Sequence, residues 1–428
     1  MNLRYFLVFL CCLGTFSRAS AQFSTQFLSL KNLEEQALKR NLGLLSGRLD
    51  FRQAEADIVS AGLRPNPVAT LNADILPLPG ERFSPNDKQY GLSVALPIEL
   101  GNKREYRLET AQNLALVQKS QLYHAARQTL LAVRLAFFDV LGAQEQVAIA
   151  SANRDTYQKL VALNGTRFKA AQISQTELSR SELAFDQAEL QRRETELTLA
   201  KAERALLLAV GNADNNERIV IGDRLQALQT DTLWARATTE TFLKRALEAR
   251  YDVQTAKMLR SSAEANQRLQ EANALPDVSI APEISMQQNA VLYGFTGVVP
   301  LPFNNRNEGE RQKAQVRIEQ TQRQISLVEY ALRNEVQTAA AEYEMRQNAL
   351  QRYRSDVSGQ NGILSKAANI KSASEIAYKA GSLSLLELLD AVRVYNEVYK
   401  SYIDALTLFN KSVATLTFAL GSDAVSIE

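Results

Sequence analysis

Thiols are confined to Cys11 and Cys12, both inside an apolar N-terminal stretch. Removal of that stretch as a leader excludes disulfide staples, thiolate zinc sites and cysteine nucleophiles together. Histidine occurs once, as His124, so no pair of imidazoles can ligate a metal within one chain, and a surface or seam position is expected for it. Met258, Met286 and Met345 are too scattered for a soft-metal relay. No charge excess exists either. The 49 basic residues lose Arg4 and Arg18 with the leader and then equal the 47 acidic ones, which argues against nucleic-acid binding. Glycine-rich phosphate loops and a serine–histidine–acid set are absent, and carboxylate pairs such as Glu194 and Glu196 read as solvated helix faces. The expectation is a chain that is not an enzyme, with no catalytic residue, no cofactor and no metal site. After the leader there is also no apolar run of about 18 residues, so any membrane crossing has to use strands.

The leader has a positive start at Arg4, an apolar stretch over 5–13 and a small-residue site, Ala19-Ser20-Ala21. Cleavage is expected between Ala21 and Gln22, which makes the mature chain an exported one. Phe9 and Leu10 are too bulky for a lipid-attachment box ahead of the cysteines.

Proline is scarce and segregated. All ten lie in two windows, Pro65 to Pro97 and Pro276 to Pro302, and the rest of the chain is compatible with helix. A proline costs about 3 kcal/mol in a helix interior, so the windows separate long helices from other structure. Each window holds two β-rich segments, 68–76 and 90–98 in the first, 278–285 and 294–301 in the second. These have about the length a tilted strand needs to cross a bilayer, and the segments between them, 77–89 and 286–293, read as exposed loops.

The chain states one pattern twice. Residues 168–211 recur as 378–421 at a spacing of 210, pairing Leu178 with Leu388, Phe185 with Tyr395 and Gly211 with Gly421. A unit duplicated in this way is commonly a building block of a larger symmetric object. The expected division is a leader over 1–21, a first repeat over 22–211, a linker over 212–236 with a strand-like piece at 218–221, a second repeat over 237–421 and a tail over 422–428. The fold class is mainly α with a small β part, each repeat running helix, strand, strand, very long helix, long helix. The long helices are expected from 103 to about 163 and from 308 to about 370, each near 90 Å if continuous.

Two seams run along the last helices. Leu385, Leu388, Val392, Tyr395, Tyr399, Tyr402, Leu406, Phe409, Val413, Leu416 and Leu420 step by three and four without a miss. The first-repeat seam is smaller and broken by Arg192, so it should pack more closely and less drily. Four strands cannot close a barrel, which needs about eight, and open edges are not tolerated in lipid. Other copies of the chain must close them. Three copies would supply twelve strands, while two copies with eight stay open on this argument.

The tip segment Tyr378-Lys379-Ala380-Gly381-Ser382-Leu383-Ser384-Leu385-Leu386-Glu387 resembles that of the TolC-type outer-membrane efflux proteins. Arg167-Phe168-Lys169-Ala170-Ala171-Gln172-Ile173-Ser174 is a looser version, with Ala171 where that pattern has glycine. The junctions Leu96-Pro97-Ile98-Glu99-Leu100-Gly101-Asn102-Lys103-Arg104 and Leu301-Pro302-Phe303-Asn304-Asn305-Arg306-Asn307-Glu308 are similar to those of the CzcC-like heavy-metal branch. The resemblance implies a homotrimer with a twelve-stranded barrel in outer-membrane lipid and a helical periplasmic tunnel. It also implies docking to a periplasmic membrane-fusion adaptor and an inner-membrane RND-type pump, with heavy-metal cations as cargo. A multidrug or type I secretion conduit of the same family, or a periplasmic coiled-coil adaptor of a different class, would share many of these features.

The resemblance makes the tips candidate docking surfaces: Arg167, Phe168, Ala170, Ala171 and Ser174 on one, and Tyr378, Ala380, Gly381, Ser382 and Ser384 on the other. Small residues let a partner hairpin approach, with Phe168 and Tyr378 as larger anchors. Ala171 implies either a blunter first turn or one held in a conformation that alanine can adopt. Arg154, Asp155, Lys366, Lys371 and Glu375, just above the tips, are candidates for a periplasmic gate.

Overall fold

The computed structural model describes residues 29–74, 89–212, 221–228, 238–287, 290–354 and 362–422. The leader and its Ala21–Gln22 site lie outside the described residues, as do 213–220 of the linker and most of the tail.

The first repeat opens with α1 (Leu30–Arg40) and α2 (Leu42–Gly62), followed by β1 (Val68–Asp74), β2 (Gln89–Ile98), α3 (Lys103–Lys169) and α4 (Gln175–Val210). The second runs α5 (Thr239–Ala249), α6 (Tyr251–Ala272), β3 (Val278–Gln287), β4 (Ala290–Val298), α7 (Glu308–Arg354), α8 (Ile363–Lys379) and α9 (Leu385–Ala419). The opening helix of each repeat is therefore two helices, split at one extended residue: Asn41, with ψ 119°, and Arg250, with ψ 129°. Asn41 makes its break locally, because its Oδ1 accepts from the Gly43 and Leu44 amides and so starts α2. The end of each repeat is seated on the break. A Cβ on Gly211 would stand 2.8 Å from Asn41 Cα, and one on Gly421 2.8 Å from Ala249 Cβ. Both glycines also have left-handed φ, +81° and +70°, so backbone conformation and close approach demand the same residue.

The 67-residue α3 spans about 100 Å. The helix expected from 308 to about 370 is not continuous. α7 ends at Arg354 and α8 starts after Gly362, whose ψ of 179° is extended. The intervening Ser358, Gly359, Asn361 and Gly362 are poor helix formers, a local signal that the proline count overlooks. Between β3 and β4 the strands reach further than expected. β3 continues to Gln287 and β4 begins at Ala290, so most of 286–293 is strand, consistent with the β-forming Val291, Leu292 and Tyr293. In the linker, Ile221 is buried but lies in no strand, and 218–220 fall outside the described residues. Residues 221–228 lie on α9, where Asn410 Oδ1 accepts from the Leu228 amide and its Nδ2 donates to the Gln226 carbonyl.

The strands form one antiparallel sheet in the order β1-β2-β3-β4. Its register brings the two repeats together, with Ser93 opposite Glu283 and Leu96 opposite Ile280. β1 and β4 are its edges, unpaired within one chain, as expected for a sheet closed by other copies.

The strand-to-helix handover is held by charges. Lys103, itself buried, donates to the Leu275 carbonyl and to Asp277 Oδ1, both at 2.6 Å, which ties α3 to the start of β3. Arg107 pairs with Glu99 at 2.7 Å and donates to the Ala61 and Leu63 carbonyls, while Arg104 donates to that of Gly62. The carbonyls orphaned at the end of α2 are thus satisfied by guanidinium groups from α3. Asn102 and Asn307 precede α3 and α7 with φ 59° and 62°, so both exits into the long helices are left-handed at asparagine, a residue that visits this region readily.

The main core lies midway along the helices, where Leu33, Phe137, Phe138, Leu206, Leu332 and Phe409 pack together. A second cluster near the tips joins Tyr157, Leu160, Tyr378, Leu385, Leu388 and Val392. Every member of the α9 seam is buried or half-buried. On α4 the seam is wetter: Arg192 is engaged by Glu189 and Glu196, and buried Ser181 and Thr195 turn their hydroxyls back to their own helix.

Candidate functional site

Both tips close in the same way. At the end of α3, the Ala171 amide donates to the Phe168 carbonyl at 2.8 Å and the Gln172 amide to that of Arg167 at 2.9 Å. At the end of α8, Gly381 and Ser382 repeat this pairing with Tyr378 and Ala377. These are Schellman-type endings, in which one residue turns left-handed. Ala171 adopts φ 57° where Gly381 adopts 78°. The first turn is therefore as sharp as the second, at the steric cost that a Cβ adds in this region, about 1–2 kcal/mol. Three residues after each left-handed residue the chain enters the next helix through a capping box, Ser174 with Glu177 and Ser384 with Glu387. Ser174 and Ser384 thus shape the turn. Glu177 and Glu387 were legible as the S-x-x-E signature but were not among the residues singled out.

Phe168, Ala170, Ala171, Ser174, Ala380, Gly381, Ser382 and Ser384 are all exposed at this end of the molecule. Tyr378 departs from the expectation of an exposed anchor. It is buried, its hydroxyl donates to Asn164 Oδ1 at 2.6 Å, and Arg167 lies over its ring at 5.0 Å. Arg167 also donates to the Tyr378 and Lys379 carbonyls, placing a cation at the negative end of α8. These two side chains tie the tips to each other, because a ring packed between α3 and α8 is not available on the outer surface. Just above them, Tyr157, Leu160, Leu163, Glu375 and Leu388 line a cleft of about 230 Å³ between the two hairpins.

The gate candidates fall into two groups. Arg154 on α3 pairs with Asp155 at 2.9 Å and with Glu189 of α4 at 3.5 Å, and it lies over the Phe185 ring. Glu189 is drawn down to about 2 by hydrogen bonds from Arg192 and Arg193. Lys371 on α8 pairs with Glu375 at 3.8 Å and sits 4.5 Å from the Tyr395 ring centre on α9. Lys366 is exposed on α8, and so is Asp155 on α3.

At the other end, the sheet has a greasy face and a polar one. Register places Tyr90, Leu92, Leu96 and Ile98 of β2 beside Ile280, Ile284 and Met286 of β3 and Tyr293 and Phe295 of β4. The alternate positions carry Thr70, Asn72, Gln89, Ser93, Ser279, Ser285, Gln287 and Thr296, with Val68, Leu292 and Val298 as large apolar exceptions. Apolar outside and polar inside is the pattern of a transmembrane barrel wall around water. No helix among the described residues is long and apolar enough to cross a membrane.

A family model described as "Outer membrane efflux protein" matches residues 33–212. The cobalt-zinc-cadmium resistance protein CzcC of Cupriavidus metallidurans is 24% identical over 397 residues, covering 92% of this chain and 90% of that one. Over residues 33–212 the chain is similar to the outer membrane efflux family. The pyoverdine export outer membrane protein OpmQ of Pseudomonas aeruginosa is 26% identical over 394 residues, covering 85% of this chain and 79% of that one. A crystal structure of a membrane protein from Pseudomonas aeruginosa has the same fold, with a TM-score of 0.76, 19% identity and coverage of 93% and 92%.

The family model and the shared fold liken the chain to outer-membrane efflux proteins. Channels of this class are passive and catalyse no reaction. Among the described residues no group of three or more His, Cys, Asp or Glu is placed to hold a metal. His124 sits in the wall of α3, where its Nε2 faces the Gln128 amide at 3.0 Å and its ring packs near Phe418. Beside it is a junction that sequence reasoning missed. Arg250, almost fully buried, pairs with Asp252 at 2.7 Å and Glu335 at 2.9 Å and lies over the Phe418 ring at 4.7 Å. Arg127 donates to the Phe418 carbonyl at 3.0 Å. Asp252 is a near neighbour in the chain, but Glu335 and Phe418 come from other helices, so the burial of Arg250 has no pattern signal.

Proposed function

We propose that the chain is the outer-membrane conduit for heavy-metal cations, working as a homotrimer with a periplasmic membrane-fusion adaptor and an inner-membrane RND-type pump. The observation that carries the cargo is the likeness to the cobalt-zinc-cadmium resistance protein, which spans 92% of this chain. Deleting the gene in its host should lower tolerance to cobalt, zinc and cadmium, and a plasmid copy should restore it. Unchanged tolerance to all three would remove the metal cargo. Siderophore export is the second reading, supported by the likeness to the pyoverdine export protein. It predicts normal metal tolerance with loss of siderophore from the medium.

In this reading the adaptor grips the exposed tip residues Phe168, Ala170, Ala171, Ser174, Ala380, Gly381, Ser382 and Ser384, whose small side chains leave the two turns accessible. Gly381 has open space around its missing Cβ, so a large side chain there alters the outer surface without a packing clash, at the backbone cost of about 1–2 kcal/mol that its left-handed φ of +78° sets for any side chain. Gly381→Trp should leave trimers intact and abolish efflux; normal export by that variant would count against docking at this turn. The gate is assigned to Arg154, Asp155, Lys366, Lys371 and Glu375. Charge reversal at Asp155 or Lys371 should raise single-channel conductance in a planar bilayer, and unchanged conductance would take those residues out of the gate.

A further inference from the structure

Among the strand residues whose side chains are described, one is charged: Glu283, in the middle of β3. It lies on the polar face, in a row across the sheet formed by Thr70, Ser93, Glu283 and Gly294. Thr296 Oγ1 donates to Glu283 Oε2 at 3.3 Å, and a Cβ on Gly294 would stand 3.0 Å from Oε1. The carboxylate is thus laid along the sheet, steadied by a hydroxyl and by the space that a glycine leaves. Among the described strand residues there is no lysine, arginine or histidine to neutralise it. On the opposite face stand Ile284, Tyr293 and Phe295, so the same register that turns Glu283 to water turns those rings to lipid.

We propose that Glu283 is a selectivity-determining residue: three copies form an anionic ring at mid-height of the barrel and make the outer-membrane part of the conduit prefer cations. The proposal rests on the trimeric channel and not on the identity of its cargo. A narrow aqueous path walled by low-dielectric protein and lipid focuses the field of fixed charges, so a few carboxylates without counter-charges weight the local ion population strongly. A row of hydroxyls and glycine around the ring supplies hydration and room without fixing an ion in place.

The test is the reversal potential of the purified protein in planar bilayers of neutral lipid, under a gradient of potassium chloride. The wild-type channel is expected to prefer potassium. E283Q, which keeps the shape and removes the charge, should lower the potassium-to-chloride permeability ratio by about twofold or more while trimers persist. Ser93→Lys leaves Glu283 in place and sets a cation beside it in the same row, so it should move the reversal potential in the same direction. A wild-type channel without cation preference, or both variants reading the wild-type potential, would overturn the proposal. Absence of any channel from wild-type protein would instead overturn the conduit reading.

Discussion

The Tyr378 hydroxyl donates to Asn164 Oδ1 across 2.6 Å in a buried site, joining the tip of the second repeat to the long helix of the first. The same Asn164 leaves its Nδ2 without a partner, so the site depends on that single bond. Its place beside Arg167, which holds the last carbonyls of α8, makes the pair of tips one mechanical unit.

Tyr378→Phe keeps the ring and its packing and removes only the donor. A buried acceptor left unsatisfied costs about 1–3 kcal/mol. The expected outcome is faster hydrogen exchange at the end of α8, with the main core unaffected. Equal protection in both proteins would mean that the hydroxyl contributes nothing to the join.

Ala171→Gly should stabilise the first tip. The left-handed turn strains alanine and not glycine, while the added freedom of the unfolded glycine offsets part of the gain, which leaves a net of about 0.5–1 kcal/mol. The check is hydrogen exchange at the Ala171 and Gln172 amides, which should slow. Faster exchange would show that the turn relaxes differently.

His124 makes stability pH-dependent. Burial pushes its pKa below the usual histidine value of 6.5, with Arg250 and Arg127 also opposing the charge and Asp252 and Glu335 favouring it. The unfolded chain then binds the proton at a pH where the folded chain does not, so this contribution is present above about pH 6.5 and is lost as pH falls through the lower folded value. The melting temperature of the wild type should fall with pH in that window, and His124→Gln should flatten the slope. An unchanged slope in the variant would place the titration elsewhere.

Leu183, Leu190 and Leu197 stand one heptad apart on α4, each more than half exposed in the single chain. A ring of helices needs a second apolar stripe of this kind to meet the next copy. Leu190→Glu should therefore weaken trimers in detergent, read by size-exclusion chromatography with light scattering, while Leu190→Met should leave them intact. Wild-type trimer stability for the glutamate variant would free α4 from the interface.

Much of this architecture is carried by signals confined to short stretches of chain. Proline positions mark where helices cannot run, the seam of α9 appears as an unbroken three-four step, and the repeat aligns Gly211 with Gly421. Each reflects a local backbone or periodicity rule, so no neighbour is needed to read it. The break between α7 and α8 was equally local but less legible, because glycine and asparagine weaken a helix more gently than proline does.

What the sequence determined by itself is the duplicated plan, the division into long helices and strand windows, and the need for partner copies to close the sheet. Tertiary structure alone decided that Tyr378 turns inward to Asn164, that Gly421 seats on Ala249, and that Arg250 finds Glu335 and the Phe418 ring. Those choices follow from side chains distant in the chain sharing one small volume. Burial, charge and hydrogen bonding are settled there by which helices meet, a property that no stretch of residues holds alone.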